Sequence, residues 1–206
     1  MTTALVRSVV LPRPAHGNAE RVQLGRAEIV LENRRGSYTL LWSNGRESKR
    51  YVLGLTDAGH LTLELCAPRY AMECVPRDAM TLVPGARIRG YVTVPLVPTV
   101  TWRTRPDSPE RLLELLPADL DGLWTQDGGH VFRVSVPWVT RFPFAGADPH
   151  CVVPLRLRNS GPEAVSPGKF DLRIADDELI EMRGTMLVRP RRIELGAPPS
   201  EARGAS

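Results

Sequence analysis

The stretch that decides the fold class reads Cys151-Val-Val-Pro-Leu-Arg-Leu-Arg158. Leu155 and Leu157 point to one side of an extended chain, whereas Arg156 and the arginine that ends the stretch point to the other side. Apolar and polar side chains that alternate in this way are typical of a strand with one buried face and one face in water. The stretch therefore predicts a half-buried β-strand.

The same two-residue alternation occurs four more times along the chain. It covers residues 61–65, 88–94, 132–136 and 170–174. Asn44-Gly45 separates two further apolar segments, and this residue pair tolerates the positive φ values of a tight hairpin. Such short links join antiparallel strands, because a parallel crossover needs about a dozen residues or more. The sequence therefore predicts an all-β fold, an antiparallel β-sandwich.

One segment departs from this pattern and predicts a short helix near residues 108–116. Ser108 supplies an N-cap, Pro109 suits the first helical position, and Glu110 places an acid in the first turn. Four leucines follow and share one helical face: Leu112, Leu113, Leu115 and Leu116. We expect this face to pack against a sheet.

Prolines cluster around this segment and indicate a boundary, because sheets confine proline to edge strands and links. We expect an N-terminal β lobe over residues 1–105, a helical connector over 106–119 and a C-terminal β lobe over 120–192. A single β domain over residues 1–192 is the alternative. Residues 193–206 are expected to form a disordered tail, because periodic apolar residues end there.

Charge and cysteine content bear on the compartment. The net charge is +4, and Lys49 and Lys169 are the only lysines among 27 basic residues. Cys66, Cys74 and Cys151 leave at least one thiol unpaired and lack metal-binding spacing, which favours a reducing compartment. No run approaches the roughly 18 apolar residues of a membrane-spanning helix. We therefore expect a cytoplasmic protein without a transmembrane segment.

Motifs that would indicate an enzyme or a cofactor are absent from the sequence. The chain has no G-x-S-x-G nucleophile elbow, no G-x-x-x-x-G-K-[ST] phosphate loop and no G-x-G-x-x-G dinucleotide loop. The acidic run Asp176-Asp177-Glu178, with Glu181 nearby, has the chemistry of a calcium site, but no D-x-D-x-D-G loop frames it. A solvated turn is favoured, and we expect no catalytic residue, no metal site and no cofactor.

An enzyme whose site forms from sequence-distant residues is an alternative. Its centre would be Asp148, His150 and Cys151. Because adjacent strand residues point to opposite faces, His150 and Cys151 form a thiol–imidazole pair only at a bulge. A non-enzymatic role is favoured over this alternative.

Two groups of side chains are the candidate binding residues. Trp138, Phe142 and Phe144 lie in an apolar, Pro-containing segment whose rings are suited to contact a partner. The second group would form an arginine-lined surface for phosphates, acidic proteins or anionic membranes. It consists of Arg133, Arg156, Arg158 and Arg173, extended by Arg183, Arg189, Arg191 and Arg192. Alternatively, Arg133 and Arg173 pair with Asp171, Glu181 and neighbouring residues across strands, and this interpretation is favoured.

The segment from Cys151 to Val165 resembles the strand–turn–strand unit of immunoglobulin-like sandwiches, in which an Asn-x-Gly turn joins two core strands. The whole chain resembles uncharacterised prokaryotic β-rich proteins of unknown function. The resemblance implies an immunoglobulin-like fold for the C-terminal lobe. It implies no site residues, since the Cys…Trp…Cys pattern of antibody domains is missing.

These observations favour a non-enzymatic β-sandwich protein that acts by binding another protein or itself, as an accessory or scaffold subunit. The second hypothesis is an anion-binding module that uses the arginines to bind nucleic acid or phospholipid headgroups. A protein partner or a homo-oligomer is expected, and nucleic acid is the less favoured partner.

Overall fold

The structure is a computed structural model that describes residues 7–34, 37–53, 60–103, 109–118, 120–124, 129–143 and 148–196. Strands occupy most of these residues, and the prediction of an all-β fold with several antiparallel sheets is confirmed. The single helical segment in the described ranges is a 3-10 turn at Asp176–Glu178. Across these ranges no helix combines the length and the apolar composition that crossing a bilayer requires.

Seventeen strands follow one another along the described residues. The first nine are β1 (Ser8–Leu11), β2 (Ala19–Leu24), β3 (Ala27–Arg34), β4 (Ser37–Ser43), β5 (Ser48–Leu53), β6 (His60–Cys66), β7 (Met72–Pro76), β8 (Arg87–Pro95) and β9 (Val97–Arg103). The others are β10 (Pro109–Glu114), β11 (Asp121–Trp124), β12 (His130–Val136), β13 (His150–Asn159), β14 (Phe170–Leu172), β15 (Ile180–Met182), β16 (Thr185–Leu187) and β17 (Arg191–Leu195).

Two antiparallel sheets enclose a first core. One is the meander β2-β3-β4-β5, and the other has the strand order β1-β6-β9-β10. Alternate side chains of both sheets meet in a single buried cluster that includes Ile29, Leu40, Leu61 and Val100. Burial of such aliphatic side chains is the main favourable contribution to folding, at about 1.5–3 kcal/mol each.

A second core lies between two further sheets. One has the order β11-β12-β7-β14; in the other, β13 pairs with β8 on one side and with β16 and β17 on the other. Met72, Val92, Phe132 and Val153 belong to its buried cluster. The pairs β7–β12, β13–β16 and β13–β17 are parallel and are exceptions to the antiparallel prediction.

The chain passes between the two cores at β6 and at the junction of β8 with β9. In β6, Leu63 belongs to the first core and Leu65 to the second. In β9, Val97 belongs to the second core and Val100 to the first. Strands β7 and β8, which were predicted to belong to the N-terminal lobe, therefore pack in the second core. The number of domains stays a prediction.

The prediction of a helix near residues 108–116, and with it the helical connector, is wrong because Pro109–Glu114 forms edge strand β10. The register of β10 on β9 shifts between Arg111 and Leu113, which marks a β-bulge. The bulge allows the consecutive Leu112 and Leu113 to pack against the first core together. A bulged strand thus produces a leucine spacing that imitates a helical face.

The hairpin predicted at Asn44-Gly45 is confirmed between β4 and β5. Gly45 has a φ of +86°, and the Asn44 side-chain oxygen accepts hydrogen bonds from the backbone N–H groups of Arg46 and Glu47. The disordered tail predicted over 193–206 is wrong for residues 193–195, which belong to β17. Residues 197–206 lie outside the described part of the chain.

The acidic run Asp176-Asp177-Glu178 joins the two cores. The Asp176 carboxylate accepts a hydrogen bond from the Ala67 backbone N–H at 2.7 Å and lies 2.6 Å from Nη2 of Arg111 in β10. Arg7 donates to the backbone oxygens of Asp176 and Leu179. In the described residues, no group of three His, Cys, Asp or Glu side chains could hold a metal ion. The run is therefore a junction of polar contacts.

Candidate anion-binding face

Strands β8, β13 and β17 lie side by side and bring five arginines to one face of their sheet. Arg156 of β13 is directly opposite Arg89 of β8 and pairs in parallel register with Arg192 of β17. Arg158, two residues further along β13, is opposite Arg87. We call these five side chains the arginine face.

The arginine face is exposed and lines a groove of about 280 Å³. Glu194 of β17, in register with Arg158, is the acid in this groove, and its carboxylate accepts a hydrogen bond from the Ser160 hydroxyl. None of the five arginines forms an ion pair or hydrogen bond with a described residue. Among the described residues that line this groove, five guanidinium groups therefore share the carboxylate of Glu194.

This arrangement is unfavourable for the isolated protein. Neighbouring strands are about 4.8 Å apart, so directly opposite arginines on one face hold their positive charges close together. Like charges at opposite positions destabilise a strand pair. Cross-strand pairing with carboxylates was predicted for Arg133 and Arg173, whereas on this face arginine lies opposite arginine. A bound anion would remove the repulsion.

The underside of the same strands fixes the arginine face in place. Leu155 and Leu157 of β13 alternate with the arginines and are about 1% exposed. Leu157 is opposite Ile88 of β8 and in register with Ile193 of β17, so apolar rows lie beneath the charged ones. The guanidinium groups therefore project from a packed sheet, which reduces the ordering needed when a ligand binds.

An aromatic pair continues the arginine face at one end. Tyr91 is two residues beyond Arg89 in β8 and therefore points to the same side of the sheet. Its ring meets that of Phe142 edge-on, with centroids 5.4 Å apart and an interplanar angle of 78°. Phe142 is 39% exposed, and the exposed Arg141 precedes it. An accessible ring therefore lies beside the row of Arg89 and Arg156.

Trp138 lies on the opposite side of this sheet. A Cβ added at Gly90 would lie 2.5 Å from Cε2 of the Trp138 indole, so the ring covers the inward face of that glycine. Trp138 is partly buried and packs against the second core. Its ring therefore faces away from Phe142 and does not contribute to the same surface. Phe144 lies outside the described residues.

Arg133 belongs to a different sheet and is neutralised there. Its Nη2 lies 2.7 Å from the Glu73 carboxylate, which also accepts a 2.6 Å hydrogen bond from Nζ of Lys169. The hydrogen bonds from Lys169 and Arg133 lower the pKa of Glu73 below its ordinary value. For Arg133 the structure therefore has a cross-strand ion pair in place of a free cation.

The remaining arginines of the C-terminal stretch have separate surroundings. Arg191 forms an ion pair with Glu178 at 2.6 Å, and together with Arg173 and Arg189 it lines another groove that also contains Asp177. Arg183 occupies the turn between β15 and β16 with a φ of +51°. Of this stretch, Arg192 alone belongs to the arginine face.

Two members of the arginine face, Arg87 and Arg89, were not predicted as binding residues, whereas Arg192 was named within the basic C-terminal stretch. The alternation of Arg87 and Arg89 with apolar residues was visible in the sequence, but their position opposite Arg156 and Arg158 was not. That position depends on the pairing of β8 with β13. Strand β13 begins at His150, which is 55 residues after the last residue of β8, Pro95. Strand alternation gives the side of a sheet, and it does not give the partner strand.

The alternative centre at Asp148, His150 and Cys151 has chemistry that disfavours a thiol nucleophile. Burial raises the pKa of Cys151 to about 12, so the thiol stays protonated near neutral pH. Asp148 accepts a hydrogen bond from the Arg26 backbone N–H and forms an ion pair with the Arg26 side chain at 3.3 Å. The carboxylate is therefore engaged with Arg26.

Comparisons of the chain with family models, with curated proteins and with solved structures give no match. The immunoglobulin-like resemblance therefore stays a prediction. After Asn159 the chain makes an isolated bridge between Val165 and Leu82, and the next strand, β14, belongs to the other sheet of the second core.

Proposed function

We propose that the protein is a binding module for a polyanion and that the arginine face is its binding surface. The observation that carries the proposal is the direct opposition of Arg156 to Arg89 and of Arg158 to Arg87 on an exposed sheet face. Guanidinium groups bind phosphate and carboxylate oxygens in bidentate geometry, which suits a ligand with repeated anionic groups. A polyanion would convert the mutual repulsion into several charge-assisted contacts.

The hypothesis that the protein binds another protein or a second copy of itself through the segment from Trp138 to Phe144 has less support. Trp138 packs beneath the sheet, and Phe142 is the exposed large apolar side chain of the described part of that segment. A protein interface is expected to bury a well-packed apolar centre of several residues. The same Phe142 lies beside the arginine face, where its ring is more readily explained as part of that surface.

Heparin-affinity chromatography tests the proposal with a repeating polyanion. We expect the wild-type chain to be retained and to elute with salt, because screening weakens contacts between exposed charges. The double variant Arg89→Gln with Arg156→Gln should elute at clearly lower salt. The matched control is Lys49→Gln with Arg50→Gln, which removes the same charge from edge strand β5.

The comparison of the two double variants distinguishes binding by the arginine face from retention by the net positive charge of the protein. If both double variants elute at the same reduced salt concentration, net charge explains retention and the proposal is wrong. If the wild-type chain is not retained at low salt, the arginine face does not bind polyanions at all. Circular dichroism of each variant confirms that the compared proteins are folded.

A further inference from the structure

The end of the arginine face beside Phe142 differs chemically from the rest of it. Along β8, the outward positions are Arg87, Arg89 and then Tyr91, each about 6.8 Å from the last. Opposite them on β13 are Arg158, Arg156 and Pro154. Two cross-strand rows of arginines on β8 and β13 are therefore followed by an uncharged row, Tyr91 with Pro154. The Phe142 ring lies next to Tyr91 in this row.

Phe142 has the environment of a ring that stacks on a ligand. Tyr91 contacts it in a T-shaped arrangement with centroids 5.4 Å apart, and Phe142 is 39% exposed, so part of the ring is open to a ligand. An exposed phenyl ring loses favourable burial unless something covers it. A planar ligand group could cover the ring while anionic groups of the same ligand contact the arginines.

We propose that the arginine face and Phe142 together bind a single-stranded nucleic acid, with phosphates on the arginines and a base stacked on Phe142. This inference rests on the proposed function and identifies the ligand class. Single strands offer anionic groups and accessible base faces in the same repeat, and proteins bind them with a basic groove and aromatic platforms. The surface has both parts in adjacent rows.

Other polyanions fit one part of the surface only. A duplex keeps its base faces stacked inside the helix, so Phe142 reaches them only if base pairs open. Heparin and acidic protein segments supply anions without planar bases. An anionic membrane would contact the arginines, but a flat bilayer surface engages a groove poorly. A single-stranded nucleic acid can contact the arginines with its phosphates and Phe142 with a base at the same time.

Fluorescence anisotropy with labelled oligonucleotides tests the inference. The probes are a twelve-residue oligothymidylate, an abasic oligomer with the same number of phosphates, and a duplex of the same length. We expect the thymidylate to bind at least about tenfold more tightly than the abasic oligomer at equal salt, since stacking contributes per base. The duplex should bind more weakly than the thymidylate.

Single variants test whether Phe142 causes the preference for thymidylate over the abasic oligomer and whether the arginines bind the phosphates of both. Phe142→Ala should weaken thymidylate binding roughly five- to hundredfold and leave abasic binding unchanged. Phe142→Leu keeps an apolar side chain without an aromatic face and should lose most of the same preference. Arg156→Gln should weaken both oligomers and reduce the slope of log affinity against log salt by about 0.7.

The matched control is Tyr70→Ala, which removes another exposed aromatic ring that stacks on His130 beside a different sheet. It should leave both affinities unchanged.

Equal binding of thymidylate and abasic oligomers, or thymidylate binding unaffected by Phe142→Ala, would overturn the stacking inference while leaving polyanion binding intact. Tighter binding to the duplex, or to phosphatidylserine vesicles, would also overturn it. Absence of binding to every oligomer and to heparin would remove the proposed function as well.

Discussion

Gly90 is a residue whose identity is explained by one contact. It lies in the centre of β8, where a side chain would normally pack on the second core, and the Trp138 indole fills that space. Glycine weakens a strand interior by itself, so a close packing partner is the usual reason for its presence. The contact also attaches the segment after β12 to the underside of the arginine face.

We expect Gly90→Ala to destabilise the protein by about 1–3 kcal/mol, because the added methyl group overpacks against the indole. The matched control is Gly168→Ala, where an added Cβ meets nothing within 4 Å. Urea unfolding followed by fluorescence measures both. Combining Gly90→Ala with Trp138→Leu should recover part of the loss, and a loss of equal size in both backgrounds would contradict the contact.

At this scale the sequence predicted some surface residues and misjudged others. Arg156 and Arg158 were predicted from strand alternation to point away from the core, and they are exposed, as is the candidate contact ring of Phe142. The inward position of Trp138 could not be predicted, because it depends on a glycine 48 residues earlier in the chain (138 − 90). Arg133 could not be distinguished from Arg156 until the partner strands were known.

At the scale of elements, β8, β13 and β17 combine a stable underside with a repulsive outer face. Buried Leu155 and Leu157 hold the strands together, while the arginines above them repel one another. Like charges on both strands of a pair destabilise the fold, and binding of an anion would offset that destabilisation. Stability and binding should therefore respond in opposite directions to the same substitution.

Arg156→Gln is expected to raise the free energy of unfolding by about 0.2–1 kcal/mol at low salt, because Arg156 faces both Arg89 and Arg192. The gain should shrink in concentrated salt, where repulsion is screened. Arg50→Gln on edge strand β5 is the control and should change stability little. Denaturant unfolding at two salt concentrations measures both variants, and a destabilised Arg156→Gln would show that the arginine is held by favourable contacts.

Element types were predicted well where alternation is regular and poorly at β10. The segments around residues 132, 155 and 170 are strands, as their period of two predicted. In β10 the bulge at Leu112 interrupts that period. Because a serine suited to an N-cap and a proline precede these leucines in the sequence, the segment had the pattern of a helix. A local pattern cannot reveal a bulge that exists only against its partner β9.

At the scale of the whole molecule, Asp176 connects the two cores. It contacts Ala67, which packs in the second core, and Arg111, which lies on a strand of the first. Arg7, just before β1, donates to the backbone oxygen of the same residue. Asp176 therefore accepts hydrogen bonds from residues that belong to both cores or lie beside them.

We expect Asp176→Ala to lower the free energy of unfolding by about 1–2 kcal/mol, because the buried Ala67 N–H loses its acceptor and Arg111 loses its ion pair. The neighbouring exposed Asp177 forms no such contact with a described residue, so Asp177→Ala is the matched control. Thermal unfolding monitored by circular dichroism measures the difference. Equal melting temperatures for the two variants would contradict the role of Asp176.

The all-β class followed from composition and alternation, whereas the arrangement of the strands did not. Parallel pairs such as β7–β12 and β13–β17 join segments that are distant in sequence, and nothing in either strand specifies the other. For the same reason, the packing of β7 and β8 in the second core could not be predicted from the sequence. Long-range pairing is decided by which apolar faces fit together in three dimensions.

The passage of the chain between the cores has a consequence for synthesis on the ribosome. The buried cluster of the first core is complete once Leu115 has emerged. Strand β8 ends at Pro95, but its partner β13 begins only at His150. During elongation, β7 and β8 would therefore extend from a folded half with their hydrogen-bonding edges unsatisfied, the state in which nascent β-proteins aggregate or recruit chaperones.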